Sequence, residues 1–139
     1  MKGRPSVIWI IDSDIFIEGE RGHPKFSRWL QTHDKFSTAD IVRAEFLMGV
    51  HQTSDAAKRR RGEQFYRDII AMLPSFPNES ADYTRGAQMA GDARRAQKGS
   101  PSLVDSLIAA IALRTVATVA TRNVKDFKAM GCPCENPLD

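Results

Sequence analysis

A short apolar tract near the start of the chain constrains the fold more strongly than any other feature of the sequence. From Val7 to Ile11 it contains only valine, isoleucine and tryptophan, and it runs directly into Asp12, with Asp14 two residues further on. A run of this kind is typical of a strand that is buried on both faces, as in parallel sheets. Parallel sheets carry their functional groups at the carboxyl ends of their strands. We therefore predict Asp12 at such an edge, where a cation or hydrogen-bond donors must offset the burial of its charge.

Strand-like and helix-like segments alternate along the rest of the chain. Alternation of this kind indicates a parallel sheet with helices on both faces, so the predicted fold class is α/β. The length of 139 residues fits a single domain, which we predict to span 1–139. The predicted strands cover about 6–11, 35–38, 75–77, 116–120 and 132–134, and the predicted helices cover about 24–31, 39–51, 55–73, 80–97 and 101–114.

Three further acids interrupt apolar segments later in the chain. Glu45 lies on a predicted helix, Asp105 lies near the start of a helix that is apolar nearly all round, and Asp126 follows the fourth predicted strand. A carboxylate is costly in such surroundings unless it is paired. We therefore predict that these three acids meet Asp12 at one catalytic site.

Carboxylates gathered in this way favour a divalent metal. Mg²⁺ and Mn²⁺ prefer hard oxygen ligands in octahedral geometry. Such ions activate water and neutralise charge in phosphoryl transfer. Asp12 and Asp105 are the predicted ligands, and Glu45 is long enough to bind the metal or to orient the attacking water.

Each acid also has an ordinary structural alternative. Asp12, Asp14 or Asp126 could hold a turn or cap a helix, Glu45 could be a solvated helix residue, and Asp105 could complement a helix dipole. No single acid identifies a site, so the prediction rests on their order and their shared apolar setting.

The charge distribution suits a polyanionic ligand. The net charge is only +3, but setting aside the five acids near the predicted site leaves 12 acidic residues against 20 basic ones. An acidic pocket in a basic surface fits a metal site that handles a polyanion. Each basic run could instead be a solvated helix face or loop. The runs are Lys58–Arg61, Arg94 and Arg95 with Lys98, and Arg122 with Lys125 and Lys128.

Cysteine usage and hydropathy indicate the cellular compartment. Cys132 and Cys134 are separated by one residue, too close for an unstrained disulfide and too few for a four-ligand zinc site. We read them as reduced thiols. No apolar run approaches the ~20 residues of a membrane helix, and we see no signal peptide. These features predict a cytoplasmic protein with no membrane contact.

Four short motifs follow one another along the chain. They lie at Ile11–Ile17, Ser37–Gly49, Val104–Ala110 and Val119–Phe127. In this order they resemble the first-strand Asp-Thr-Asn segment, the glutamate helix, the Asp-x-Leu-Ile-Ala-Ala helix and the Thr-Arg-Asn-x-x-Asp-Phe strand end of PIN-domain proteins of the VapC toxin type. The resemblance spans about 12–137, and the closing Glu135-Asn136-Pro137 also fits it.

This resemblance implies a three-layer α/β/α fold around a parallel sheet and a Mg²⁺- or Mn²⁺-dependent endoribonuclease. By position, Asp12 and Asp105 are implied as metal ligands and Glu45 as the third acid. Such toxins pair with a small antitoxin that blocks the acidic pocket or inserts an arginine, and they often form homodimers. The implied partners are therefore an RNA substrate, a cognate antitoxin and a second copy of the chain.

The sequence departs from the family pattern at two positions. Asp14 stands where the family usually has asparagine, and Asn123 stands where many members have a fourth acid. Asp126 could replace that charge if its loop turns inward. We expect Asp14, Thr121 and Asn123 to support the metal ligands. The predicted RNA contacts are Arg59, Arg60, Arg122 and Lys125.

Three other functions are alternatives, and two of them lack an expected residue. Asp12 and Asp14 resemble the opening of a haloacid-dehalogenase-type phosphatase, but Phe16 occupies the usual place of a threonine or valine. A response-regulator receiver domain needs an aspartate at the end of its third strand, and 75–77 offers none. A PIN-like module that binds RNA or a partner without cutting stays an alternative.

Overall fold

The structure is a computed structural model that describes residues 7–139, so the predicted start of the first strand at residue 6 lies outside it. Five strands are described: β1 (Trp9–Ile11), β2 (Phe36–Ala39), β3 (Ser75–Phe76), β4 (Thr118–Ala120) and β5 (Cys134–Glu135). The helices are α1 (Ser13–Glu20), α2 (Pro24–Thr32), α3 (Asp40–Gln52), α4 (Ala56–Asp68), α5 (Ser80–Arg95), α6 (Leu103–Thr115) and α7 (Val124–Ala129), with a short 3₁₀ helix over Ile70–Met72.

All five strands form one parallel sheet, in the order β3-β2-β1-β4-β5. The central strand is β1, whose Ile10 and Ile11 are fully buried. Helix α1 contacts α2, α3 and α4, which forms one group, and α6 contacts α5 and α7, which forms a second group; α3 also contacts α6. The predicted α/β class with a central parallel sheet is confirmed. In the described residues, none of the helices is long and apolar enough to cross a membrane.

Two helices next to the predicted site, α1 and α7, were not predicted. Asp12 has an extended backbone (φ −79°, ψ 159°) and caps α1, which then buries Ile15 and Phe16. Residues 15–17 are all apolar and show no helical periodicity, so the sequence pattern favours a continued strand over a helix. Helix α7 has six residues and buries only Phe127, which is too short for periodicity to be seen.

The helix predicted over 55–73 is divided in two. Helix α4 ends at Asp68, Ile69 adopts φ −116° and ψ −65°, and the 3₁₀ helix follows. The turn buries Ile70 completely. Arg43 reaches across from α3 and donates from Nη2 to the Leu73 carbonyl oxygen at 2.8 Å. This long-range contact stabilises the turn, and local periodicity cannot predict it.

An aromatic cluster fixes α1 against α3 and α4. The ring centroid of Phe16 lies 6.4 Å from that of Phe46 and 6.5 Å from that of Phe65. Phe46 and Phe65 are 5.9 Å apart. Truncation of a buried phenylalanine to alanine typically costs about 3–5 kcal/mol, so this packing holds α1 and α3 firmly. It sets the position of Ser13 and Glu45 at the site.

Candidate active site

Asp12 lies at the carboxyl end of β1 and is 5% exposed. Its Oδ1 accepts a hydrogen bond from Ser13 N at 2.8 Å, and its Oδ2 accepts one from Thr121 Oγ1 at 2.9 Å. Thr121 directly follows β4, the neighbour of β1 in the sheet. Burial, then the nearby charge of Asp14, raise the pKa of Asp12 to about 8, and the two hydrogen bonds only partly oppose this.

Asp14 points to the same place from the first turn of α1. Its Oδ2 accepts from Arg122 N at 3.1 Å and lies 3.4 Å from Thr121 Oγ1. One hydroxyl carries one proton, so Thr121 donates to either Asp12 or Asp14, and the shorter distance favours Asp12. Within residues 7–139, Oδ1 of Asp14 is buried without a hydrogen-bond partner. Burial raises the pKa of Asp14 above its ordinary value.

Glu45 is joined to this segment through Ser13, a residue that no sequence pattern predicted at the site. Ser13 Oγ donates to Glu45 Oε1 at 2.7 Å, across 32 positions of the chain. Ser13 stands between the two aspartates, where the family motif has threonine. The only hint in the sequence was a hydroxyl residue placed between two acids. Ser13 can bind Glu45 only because α3 packs against α1.

Asp105 and Asn123 bring the second group of helices to the site. Asp105 forms a capping box with Ser102 at the start of α6. It therefore also has a structural role at the start of this helix, in addition to its place at the site. Its Oδ2 accepts from Asn123 Nδ2 at 3.2 Å, and the same nitrogen donates to Asp126 Oδ2 at 3.0 Å. The Asp105 carboxylate also contributes to the raised pKa of Asp12. The backbone N of Asn123 donates to Thr121 Oγ1 at 3.0 Å. This bond links Asp105, which Asn123 contacts, to Asp12, which Thr121 contacts.

Asp126 is engaged on both of its oxygens. Oδ2 accepts from Asn123, and Oδ1 accepts from the backbone N of Ser100 at 2.8 Å. The carboxylate therefore holds the connection between α5 and α6 against α7 and keeps Asn123 in place. These contacts fit a residue that positions Asn123 and, through it, Asp105.

The four predicted RNA contacts lie in two places. Arg122 and Lys125 follow β4 beside the acids, and Arg122 Nη1 lies 3.6 Å from Glu18 Oε1. Arg59 Nη1 donates to the carbonyl oxygen of Thr53 at 2.7 Å and so caps the end of α3, eight residues and roughly 12 Å along the axis from Glu45. Arg60 is exposed on α4. Arg122 and Lys125 are therefore the two that adjoin the acids.

The acidic site offers hard oxygen donors for a divalent ion. In residues 7–139, no three acidic, histidine or cysteine side chains lie close enough together as they stand to hold one ion. Mg²⁺ is commonly bound through one or two carboxylates and keeps several waters. The buried Asp12, whose pKa is raised to about 8, and the partnerless oxygen of Asp14 are groups that a cation would stabilise. The residues present therefore fit Mg²⁺ or Mn²⁺.

The fold and the site together define a parallel α/β protein with carboxylates gathered at the carboxyl edge of its sheet. The family described as the PIN domain matches residues 9–131. The chain belongs to the PIN-domain family, and the resemblance seen in the sequence is confirmed.

Relatives and solved structures of the same fold extend this result. The chain is 29% identical to "Ribonuclease VapC1" of Rickettsia felis, and 27% identical to "Ribonuclease VapC" of Rickettsia bellii, with 86% of this chain and 87% of each relative covered. Its fold is similar to FitAcB from Neisseria gonorrhoeae, at a TM-score of 0.82 and 24% identity over 94% of this chain and 98% of that one. It is also similar to VapBC2 from Rickettsia felis bound to a DNA fragment from its promoter, at a TM-score of 0.77 and 20% identity over 92% and 97%.

Proposed function

We propose that the protein is a Mg²⁺- or Mn²⁺-dependent endoribonuclease and the toxin of a toxin–antitoxin pair. Its family and the ribonuclease names of its relatives support this function. Solved structures of the same fold include a toxin–antitoxin complex from Klebsiella pneumoniae. The observation that carries the proposal is the hydrogen-bonded chain that joins Asp12, Glu45 and Asp105 through Ser13, Thr121 and Asn123.

Asp12, Asp105 and Glu45 would hold the metal, some of them through its bound waters, since no three such side chains in residues 7–139 meet at one point as they stand. When bound, the ion would neutralise charge on the scissile phosphate and lower the pKa of a water. Thr121 fixes the orientation of Asp12 by donating to its Oδ2. Ser13 fixes Glu45 through Oε1, which leaves Oε2 to contact the ion or to accept a proton from water. Asn123 holds Asp105 by donating to its Oδ2.

Asp14 and Asp126 have separate roles in this proposal. The partnerless Oδ1 of Asp14 adds negative charge beside Asp12 and favours cation binding. Asp126 is a positioning residue, because its oxygens are taken up by Ser100 and Asn123. The fourth charge that many family members carry at position 123 is thus supplied by Asp14 and not by Asp126.

The acidic site also explains how a partner could inhibit the protein. An arginine of an antitoxin would pair with carboxylates whose charges lack a counter-ion, through charge-assisted hydrogen bonds. We propose that the protein acts in the cytoplasm, where RNA and a co-produced antitoxin are both present. A homodimer stays a prediction from the family resemblance.

Cleavage of RNA by the purified chain tests the function. We expect cleavage of single-stranded RNA with Mg²⁺ or Mn²⁺, none with a chelator, and at least a 100-fold slower rate for Asp12→Asn, the order of effect seen when a key electrostatic group is removed. Mn²⁺ should raise the melting temperature of the wild type but not of Asp12→Asn, which gives a readout besides activity. The matched control is Asp34→Asn, an exposed acid in the connection that precedes β2.

Two outcomes would contradict the proposal. Full activity in a folded Asp12→Asn variant would reject the site. RNA binding without metal-dependent cleavage would instead favour the non-cutting PIN-like module, for which Asn123 in place of an acid is the specific observation.

A further inference from the structure

We propose that a basic cavity beside the acidic site binds a phosphate group of the RNA strand within a few nucleotides of the cleaved linkage. The cavity has a volume of about 360 Å³ and lies between the end of α5, the connection from α5 to α6, and α7. Ligand pockets span roughly 300–1,000 Å³, so it has room for a phosphate and part of its nucleotide. The proposal rests on the ribonuclease function and adds a substrate contact to it. The lining residues are Arg94, Gln97, Gly99, Ser100 and Lys125.

Arg94 is held in place with its charge uncompensated. Its Nε and Nη2 donate to the Pro101 carbonyl oxygen at 3.0 and 2.8 Å, and Nη2 lies 3.3 Å from the Ser100 carbonyl oxygen. Within residues 7–139, Nη1 donates to no protein atom, and no carboxylate lies within 4.0 Å of this guanidinium. A guanidinium fixed in this way loses little conformational freedom when it binds an anion.

Lys125 supplies the second positive charge, from the first turn of α7. It is exposed, and in the described part of the chain it forms no ion pair. Gln97 and Ser100 add polar groups, and among residues 7–139 no acidic residue lines the cavity. Two cations and neutral donors around an open space are the complement of a phosphate, which arginine binds through paired N–H groups and lysine as a point charge.

A chain of hydrogen bonds links the cavity wall to the acidic site. Asn123 Nδ2 lies 3.2 Å from Asp105 Oδ2 and 3.0 Å from Asp126 Oδ2, so these two oxygens are no more than about 6 Å apart. Asp126 Oδ1 then accepts from the backbone N of Ser100 in the cavity wall. A Cβ on Gly99 would lie 2.6 Å from that same Oδ1, so the lack of a side chain at Gly99 leaves the Asp126 carboxylate room to stay in this position. The cavity wall is thus joined to Asp105 through two residues, so a phosphate bound there would lie within a few nucleotides of a linkage held at Asp105.

RNA substrates with a single neutral linkage test the cavity. Each phosphodiester linkage near the cleavage site is replaced in turn by an uncharged methylphosphonate, and the nucleotide before it is a 2′-deoxynucleotide. The control substrate carries the same 2′-deoxynucleotide with a normal phosphodiester. The protein variant is Lys125→Gln, because Arg94 also holds the α5–α6 connection. The matched variant is Lys128→Gln, which removes the same charge from α7 outside the cavity.

We expect one neutral linkage to slow wild-type cleavage about tenfold, the size of one charge-assisted hydrogen bond. Lys125→Gln should cleave the unmodified RNA about tenfold more slowly than the wild type does. Neutralising that one linkage should not slow Lys125→Gln any further. Lys128→Gln should behave like the wild type on both substrates. If every neutral linkage slows the wild type and Lys125→Gln by the same factor, this proposal alone is overturned. A wild-type protein that cleaves no RNA overturns both proposals.

Discussion

Two buried aspartates in this protein are stabilised in opposite ways. Asp12 is 5% exposed and Asp82 is 2% exposed, so surface exposure alone does not distinguish them. Arg114 donates to both oxygens of Asp82, at 3.1 and 2.9 Å, and the backbone N of Glu79 donates at 2.8 Å. Asp12 has only the neutral donors Ser13 and Thr121, and in residues 7–139 no basic side chain lies within 4.0 Å of it.

The pKa values of the two carboxyls follow from their partners and from how deeply each lies in the protein. Burial raises the pKa at both sites. At Asp82 the hydrogen bonds and charge of Arg114, together with the other donors, outweigh burial and lower the pKa below its usual value. At Asp12 burial is reinforced by the charges of Asp14 and Asp105, and the pKa rises to about 8. The structural carboxylate of Asp82 has its counter-ion within the chain, whereas Asp12, the proposed metal ligand, has none among residues 7–139.

Removing the counter-ion of Asp82 should have the largest effect. Arg114→Met leaves a buried carboxylate without its cation, and breaking a buried pair typically destabilises by about 3–5 kcal/mol. Since the Arg114 side chain is 27% exposed, we expect the lower end, about 3 kcal/mol. Urea unfolding measures this as a lower midpoint at an unchanged slope.

Arg85→Met is the matched control for that experiment. Arg85 is exposed on the same helix as Asp82 and forms no ion pair in the described residues. We expect a change within about 0.5 kcal/mol. Equal losses from the two arginines would remove the distinction between the paired and the unpaired aspartate.

The unpaired aspartate was predictable from the sequence, and the paired one was not. Asp12 follows an apolar run and stands out at once, and the family motifs placed Glu45 and Asp105 with it. Asp82 lies on a helix whose other residues give no sign of its burial, and Arg114 is 32 positions away. Periodicity reports which face of a helix is apolar, but it does not report which distant side chain meets it. The hydroxyl of Ser13 was missed for the same reason.

The pH dependence of stability should have opposite signs at the two aspartates. Asp12 has a raised pKa in the fold, so its contribution is fully present below the unfolded value of 3.8 and is lost as the pH rises towards about 8. Asp82 has a lowered pKa, so its contribution is present above the unfolded value and is lost as the pH falls. With metal removed by a chelator, we expect the wild type to melt at a lower temperature at pH 8 than at pH 6.

Asp12→Asn isolates the contribution of Asp12 to that dependence. The neutral amide avoids burying a charge, so at pH 8 without metal we expect a gain of about 1–2 kcal/mol over the wild type, and a smaller gain at pH 6. Melting curves with a chelator at both pH values measure it. A variant that is less stable than the wild type at pH 8 would show that the Asp12 carboxylate already has a sufficient partner within the protein.

The smallest effect should come from Glu79, the exposed partner of Arg114. Its Oε2 lies 2.8 Å from Arg114 Nη1, a shorter contact than either bond to Asp82, but its side chain is 60% exposed. Exposed ion pairs contribute about 0–1 kcal/mol, because water and salt screen them. Glu79→Gln keeps the backbone N–H that donates to Asp82. We therefore expect the free energy of unfolding in urea to fall by at most about 0.5 kcal/mol, and by less at high salt. If Glu79→Gln cost as much as Arg114→Met, contact distance rather than burial of the unpaired charge would set the strength of these pairs, and the contrast between Asp12 and Asp82 would lose its physical basis.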